Sequence, residues 1–132
     1  MDTFKYLSPE WTAEAYRRLR QELTAEKMKF VTSSMVTFYS NCPDGKARAL
    51  YYKFVAGEIA EVSVQEGEIP EAEFRISGDY QTFARISRAE LGSRSALMTG
   101  LLKLQGNMVK ALSLASVVDR MNKVLATIPT EY

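Results

Sequence analysis

The run from Ala96 to Leu114, ALMTGLLKLQGNMVKALSL, constrains this chain more than any other. Its spacing predicts the end of a short helix, a tight turn at Gly100, a strand over residues 101–105 and an apolar helix from Met108. Gly106 and Asn107 occupy the joint between that strand and that helix. Glycine tolerates backbone angles that other residues resist, and asparagine is among the best N-caps. The segment therefore specifies a strand that feeds directly into a helix with almost no loop.

The helix launched there is expected to run to about Thr127, where Pro129 prevents it from going much further. Met108, Ala111, Leu112, Ala115, Val118, Met121, Leu125 and Ile128 form one stripe, and Leu114, Val117 and Val124 widen it. Its first half is apolar nearly all round, so it calls for apolar neighbours on more than one side. Two readings are open on periodicity alone. The helix is a central core element packed on a sheet and against another helix, or part of its surface lines a cavity for an apolar ligand. Met98, Met108 and Met121 suit both, because methionine adapts to irregular partners.

The rest of the chain supplies the sheet. Ser8-Pro9-Glu10-Trp11 is a helix start, with a cap, a proline at the first helical position and an acid at the positive end of the dipole. Trp11, Ala15, Leu19 and Leu23 then share one face. Residues 35–40, 47–56 and 59–65 carry β-branched and aromatic patterns separated by Pro43-Asp44-Gly45-Lys46 and Gly57-Glu58, an antiparallel meander. After a loop at residues 66–71, Ala72, Phe74 and Ile76 alternate with Glu73, Arg75 and Ser77, a strand with one wet face. Asp79 caps a helix from Tyr80, and a short helix follows near Ser95. Helix, three strands, strand, helices, strand and helix make one α+β domain over residues 1–132, with helices over one face of a sheet.

Composition narrows the chemistry. The chain contains no histidine, which removes His-ligated metals and Ser–His–Asp or Cys–His catalysis. Cys42 is the only cysteine, so no intrachain disulfide forms, and nothing nearby marks it as a reactive thiol. A net charge of +1 offers no broad electrostatic case for nucleic acid or an anionic membrane. No apolar run approaches the roughly 20 residues that span a bilayer, and the amino terminus lacks the regions of a signal peptide. These features lead us to expect a soluble, cytoplasmic protein. Glu66, Glu68, Glu71 and Glu73 match no calcium loop, and no phosphate-binding glycine motif appears. Arg85, Arg88, Arg94 and Lys103 read first as a salt-bridged surface, with a lipid head group or coenzyme A phosphates as the sharper alternative. With no nucleophile–base pair, metal set or cofactor motif, neither an enzyme nor a cofactor is expected.

Thr99-Gly100, then Leu102-Lys103-Leu104-Gln105-Gly106-Asn107, then Met108, Ala111 and Leu114 together resemble the signature of the sterol carrier protein type 2 family. The resemblance is strongest over residues 72–125, and the amino-terminal helix and meander agree in pattern only. It implies one mixed, mostly antiparallel five-stranded sheet covered on one face by helices, with an apolar tunnel between them. It implies non-enzymatic binding and carriage of a fatty acid, acyl-coenzyme A, sterol or other lipid. The lining positions it implies are Phe83, Leu97, Met98, Leu101, Leu104, Met108, Leu112 and Ala115. The alternative it permits is an accessory subunit that presents a hydrophobic intermediate, such as an isoprenoid quinone precursor, to a partner enzyme. Membrane contact would be transient at most. Pro129-Thr130-Glu131-Tyr132 stands where peroxisomal members carry a Ser-Lys-Leu-type address, which fits a stand-alone prokaryotic-like copy.

Overall fold

A computed structural model describes residues 3–66 and 70–132. In chain order the elements are β1 (Phe4–Lys5), α1 (Pro9–Glu22), β2 (Ser33–Ser40), β3 (Arg48–Val55), β4 (Glu58–Gln65), β5 (Phe74–Asp79), α2 (Tyr80–Ser87), α3 (Ser93–Met98), β6 (Lys103–Gln105), α4 (Met108–Ser113), α5 (Ala115–Leu125) and β7 (Thr130–Glu131). Local chemistry sets most of the boundaries. The Ser8 side chain accepts from the Trp11 amide, Asp79 from Gln81 and Asn107 from Lys110, so all three expected caps start their helices. Gly45 turns the β2–β3 connection at φ +77°, a left-handed angle suited to glycine. Of the loop expected at 66–71, Gly67, Glu68 and Ile69 lie outside the described residues.

The five-stranded sheet has the order β4-β3-β2-β5-β6. Its pairings are antiparallel except for β2 with β5, which run parallel in the register Met35↔Phe74 and Thr37↔Ile76. This is the mixed, mostly antiparallel sheet that the resemblance implies. Met35, Thr37 and Tyr39 alternate with Val36 and Phe38, so the first three share one face with Tyr52, Phe54, Phe74 and Ile76. The helices pack on that face. Trp11, Leu19, Met28, Met121 and Leu125 sit between α1, α5 and the sheet and are almost wholly withdrawn from water.

Three features depart from the sequence-based expectation. First, the final helix is two helices. The backbone breaks at Leu114 (φ −95°, ψ −2°), whose N–H is shared between the Lys110 and Ala111 carbonyls. Helix α5 is buried as expected, but α4 has no buried residue, and Val109 is 79% exposed. An all-round apolar sequence thus ends partly on the surface, because α4 packs mainly through its Ala111 and Leu112 side. Second, the strand of residues 101–105 shortens to β6, because the Leu102 amide turns back to the Ala96 carbonyl rather than into a ladder. Third, β1 and β7 pair in parallel and tie the two ends of the described chain together. Trp11 Nε1 reinforces that tie by donating to Thr130 Oγ1 at 3.1 Å.

Candidate functional site

Between the sheet and the helices lies a cavity of about 90 Å³. The sheet contributes Met35, Thr37, Tyr39, Tyr52, Phe54, Phe74 and Ile76. Helix α2 adds Phe83, Ile86 and Ser87, and α3 adds Ser93 and Leu97. Ala111 and Leu114 close one side, and Ala115, Val117, Val118, Met121 and Asn122 of α5 form the roof. Among the described residues no aspartate, glutamate, lysine or arginine borders it.

The polar groups on its wall are neutral and mostly engaged with one another. Tyr6 Oη, just behind the wall, lies 2.7 Å from Ser87 Oγ and 3.4 Å from Tyr39 Oη. The Thr37 hydroxyl donates to the Leu50 carbonyl at 3.3 Å and sits 3.2 Å from Tyr39 Oη. Ser93 Oγ donates to Asp119 Oδ1 at 2.8 Å, and the Ser93 amide donates to the same oxygen at 3.0 Å. Burial pushes the phenols of Tyr6, Tyr39 and Tyr52 well above the ordinary tyrosine range, because a phenolate has no solvent there. These hydroxyls therefore stay protonated and act as hydrogen-bonding groups. Asn122 differs from them: it is 9% exposed, and its Nδ2 has no hydrogen-bond partner.

The eight lining positions implied by the resemblance divide. Phe83, Leu97 and Ala115 border the cavity together. Leu104 and Leu112 are half-buried and pack against the core without reaching it. Met98 and Met108 are exposed, and Leu101, also exposed, borders an open groove on the sheet's outer face beside Phe38 and Lys103. Much of the wall comes from residues outside that set, especially Met35, Thr37 and Tyr39 of β2 and Asn122 of α5. The β2 residues had a signal in their alternation. Asn122 had one too, as a polar residue set among Val118, Met121 and Leu125 on an apolar stripe.

The charged side chains and the cysteine lie elsewhere. Glu73 binds Lys110 Nζ at 2.5 Å, Glu66 lies 3.5 Å from Arg48, and Arg88 pairs with Glu90 beneath a Tyr132 ring. Cys42 is buried with its Sγ 3.7 Å from the Tyr39 carbonyl. Among the described residues no cluster of three acids or cysteines could hold a metal, and no helix is long and apolar enough to cross a membrane.

A five-stranded mixed sheet covered on one face by helices is a fold that this chain shares with solved sterol carrier proteins. A crystal structure of sterol carrier protein 2 superposes with a TM-score of 0.81 at 24% identity, covering 94% of this chain and 99% of the other. The solution structure of a conserved hypothetical protein from Thermus thermophilus, described as possibly a sterol carrier protein, gives 0.80 at 23% identity, covering 99% and 94%. A palmitated sterol carrier protein 2-like protein from Aedes aegypti gives 0.60 at 17% identity, covering 84% and 94%. No functionally curated protein matches the sequence. Residues 14–119 match the SCP-2 sterol transfer family, and the chain belongs to that family. Its domains bind and transfer lipids.

Proposed function

We propose that this protein is a non-enzymatic carrier that holds one apolar ligand between its sheet and α5, with Phe83, Leu97 and Ala115 among the contacts. The observation that carries this reading is the wall itself: apolar side chains and neutral hydroxyls, with no charged residue among the described lining. Such a wall can supply about 25 cal/mol per Å² of apolar ligand surface withdrawn from water, less the cost of immobilising the ligand. Its described lining carries no aspartate, glutamate, lysine or arginine that could serve as an acid or a base.

A volume of about 90 Å³ is small for a long chain. An apolar cavity of about 150 Å³ holds a molecule the size of benzene or xenon. Loading therefore needs one wall to give, and α4 is the wall built to do so. It has no buried residue, and the Leu114 break uncouples it from α5. Among its ties to the sheet is the half-exposed Lys110–Glu73 pair. Ala111 and Leu114 carry its contact with the cavity, so outward movement of α4 lengthens the space without disturbing the buried α5.

Native mass spectrometry tests the reading. Protein incubated with a set of single-chain lipids and a sterol should hold one molecule of at least one of them. Protein that remains free of every compound offered would defeat it.

A further inference from the structure

We propose that Tyr52 is the positioning residue of the cavity: its phenol donates a hydrogen bond to an oxygen of the bound lipid, hydroxyl or carboxyl alike, and so fixes which end of the ligand lies against β3. The inference rests on the carrier reading and adds to it how the ligand is held.

The polar groups that border the cavity separate by whether the fold already uses them. Ser33 donates to Glu73 Oε1, and Ser93 Oγ donates to Asp119 Oδ1. Thr37 donates to the Leu50 carbonyl, and Tyr39 and Ser87 are joined through Tyr6. Asn122 Nδ2 has no partner, but it is sealed beneath its neighbours and does not open on the cavity. Tyr52 remains. It is 4% exposed and borders the cavity, and its Oη finds no hydrogen-bond partner among the described residues. That oxygen is not sealed as the Asn122 nitrogen is. Tyr52 stands on the helix-covered face of the sheet beside Met35, so the surface its hydroxyl keeps opens on the cavity.

A phenylalanine would fill the same space without an unmade hydrogen bond, so the hydroxyl calls for a partner that arrives with the ligand. The donor is also aimed in advance. The Tyr52 ring stacks on Phe54 with centroids 6.1 Å apart and planes 8° from parallel, which holds it in place before anything binds. Burial opposes the phenolate, so the group meets a ligand as a donor. Hydroxyl, ester and carboxyl oxygens all accept from it, and a carboxylate accepts most strongly, so the contact does not exclude anionic lipids. A saturated hydrocarbon offers it nothing. Across the cavity, Val31, Ala111, Leu114 and Val118 present only apolar surface, which suits the hydrocarbon part of the ligand.

The test measures dodecane, 1-dodecanol and laurate on the intact protein and on Tyr52→Phe. Each is supplied from cyclodextrin and scored by displacement of a fluorescent probe whose own affinity is measured for each protein. Comparing the two proteins ligand by ligand cancels the different hydration of the three compounds. Tyr52→Phe should bind dodecane as before, and dodecanol and laurate about tenfold more weakly, the size of one buried hydrogen bond. Its melting temperature should hold or rise, since an unpaired buried hydroxyl has been removed. An equal loss for all three ligands would make Tyr52 a packing residue and overturn the inference, and so would unaltered binding of both oxygenated lipids. Those outcomes leave the carrier reading standing. Failure of all three compounds to bind the intact protein overturns both. If the phenylalanine variant does not fold, NMR of the intact protein holding dodecanol isotopically labelled at its alcohol carbon decides. A nuclear Overhauser contact from that carbon's protons to the Tyr52 ring is expected, and contact from the terminal methyl group in its place overturns the inference.

Discussion

Replacing Ala115 by leucine should make the protein more stable and a poorer ligand binder. Ala115 is buried at the start of α5 and borders the cavity. In a close-packed core, three added carbons overpack the site and cost about 1–3 kcal/mol. Here they have a space of about 90 Å³ to enter. An unfilled apolar volume destabilises by about 24 cal/mol per Å³, so this one withholds about 2 kcal/mol. Burying three carbons is worth about 0.8 kcal/mol each when the fit is good. Imperfect shape match brings the expected gain to roughly 1–2 kcal/mol, or a melting temperature higher by roughly 3–8 °C for a chain of this size. The assay pairs thermal unfolding of ligand-free protein with titration by a fluorescent lipid. Ala13→Leu, on an exposed position of α1, serves as the control and should shift stability by less than about 0.5 kcal/mol. A loss of about 1 kcal/mol or more in Ala115→Leu would show that the space above Ala115 does not exist in solution. A gain in stability with unaltered lipid affinity would place the ligand somewhere other than this cavity.

Three further outcomes rest on particular residues. Gly106 sits at φ +138°, where an added Cβ would lie 3.0 Å from the Glu73 carbonyl oxygen and 3.2 Å from the Phe74 ring. Gly106→Val should therefore lower stability by more than about 1 kcal/mol in urea unfolding, and an unchanged midpoint would show the joint to be ordinary. Tyr6, Tyr39 and Tyr52 keep their protons in the folded state at pH values where the unfolded chain, with phenols near 10, has lost them. Their contribution is complete below about pH 10 and declines above it, by up to about 1.4 kcal/mol per pH unit for each phenol, and Tyr52→Phe should flatten the alkaline slope. Lys110, and secondarily Ser33, hold the Glu73 carboxyl below the usual carboxylate range. That contribution is present above the unfolded value of about 4.3 and fades as pH falls through the lower folded value. Both side chains are more than one-third exposed, so Lys110→Ala should cost less than about 1 kcal/mol at about pH 7 and nothing at about pH 2. An undiminished difference in acid would assign the effect to packing.

Much of the architecture could be read along the chain because the forces that start and stop elements are local. Ser8, Asp79 and Asn107 each accept a hydrogen bond from an amide two or three residues on, and that geometry needs no distant partner. Asp44-Gly45 turns a hairpin for the same reason, and the alternation in residues 72–77 marks the inward face of β5. The joint at Gly106-Asn107 and the family signature around it are likewise contiguous in sequence.

What periodicity cannot report is which neighbour a side chain meets. It counts apolar residues on a helix face, and α4 and α5 look alike by that count. Only packing put Met108 and Val109 on the surface and Val117 and Met121 in the core, with the break at Leu114 between them. The parallel pairing of β2 with β5 and the β1–β7 tie join segments far apart in the chain, so no local pattern announces them. The eight residues taken from the signature divided for the same reason. Contiguity placed them near one another in sequence, but a cavity wall is assembled from seven elements and the segments between them. Asn122 is the sharpest case. Its sequence context shows an asparagine on an apolar stripe; that the residue lines a cavity while its amide nitrogen is buried without a partner is a property of everything folded around it.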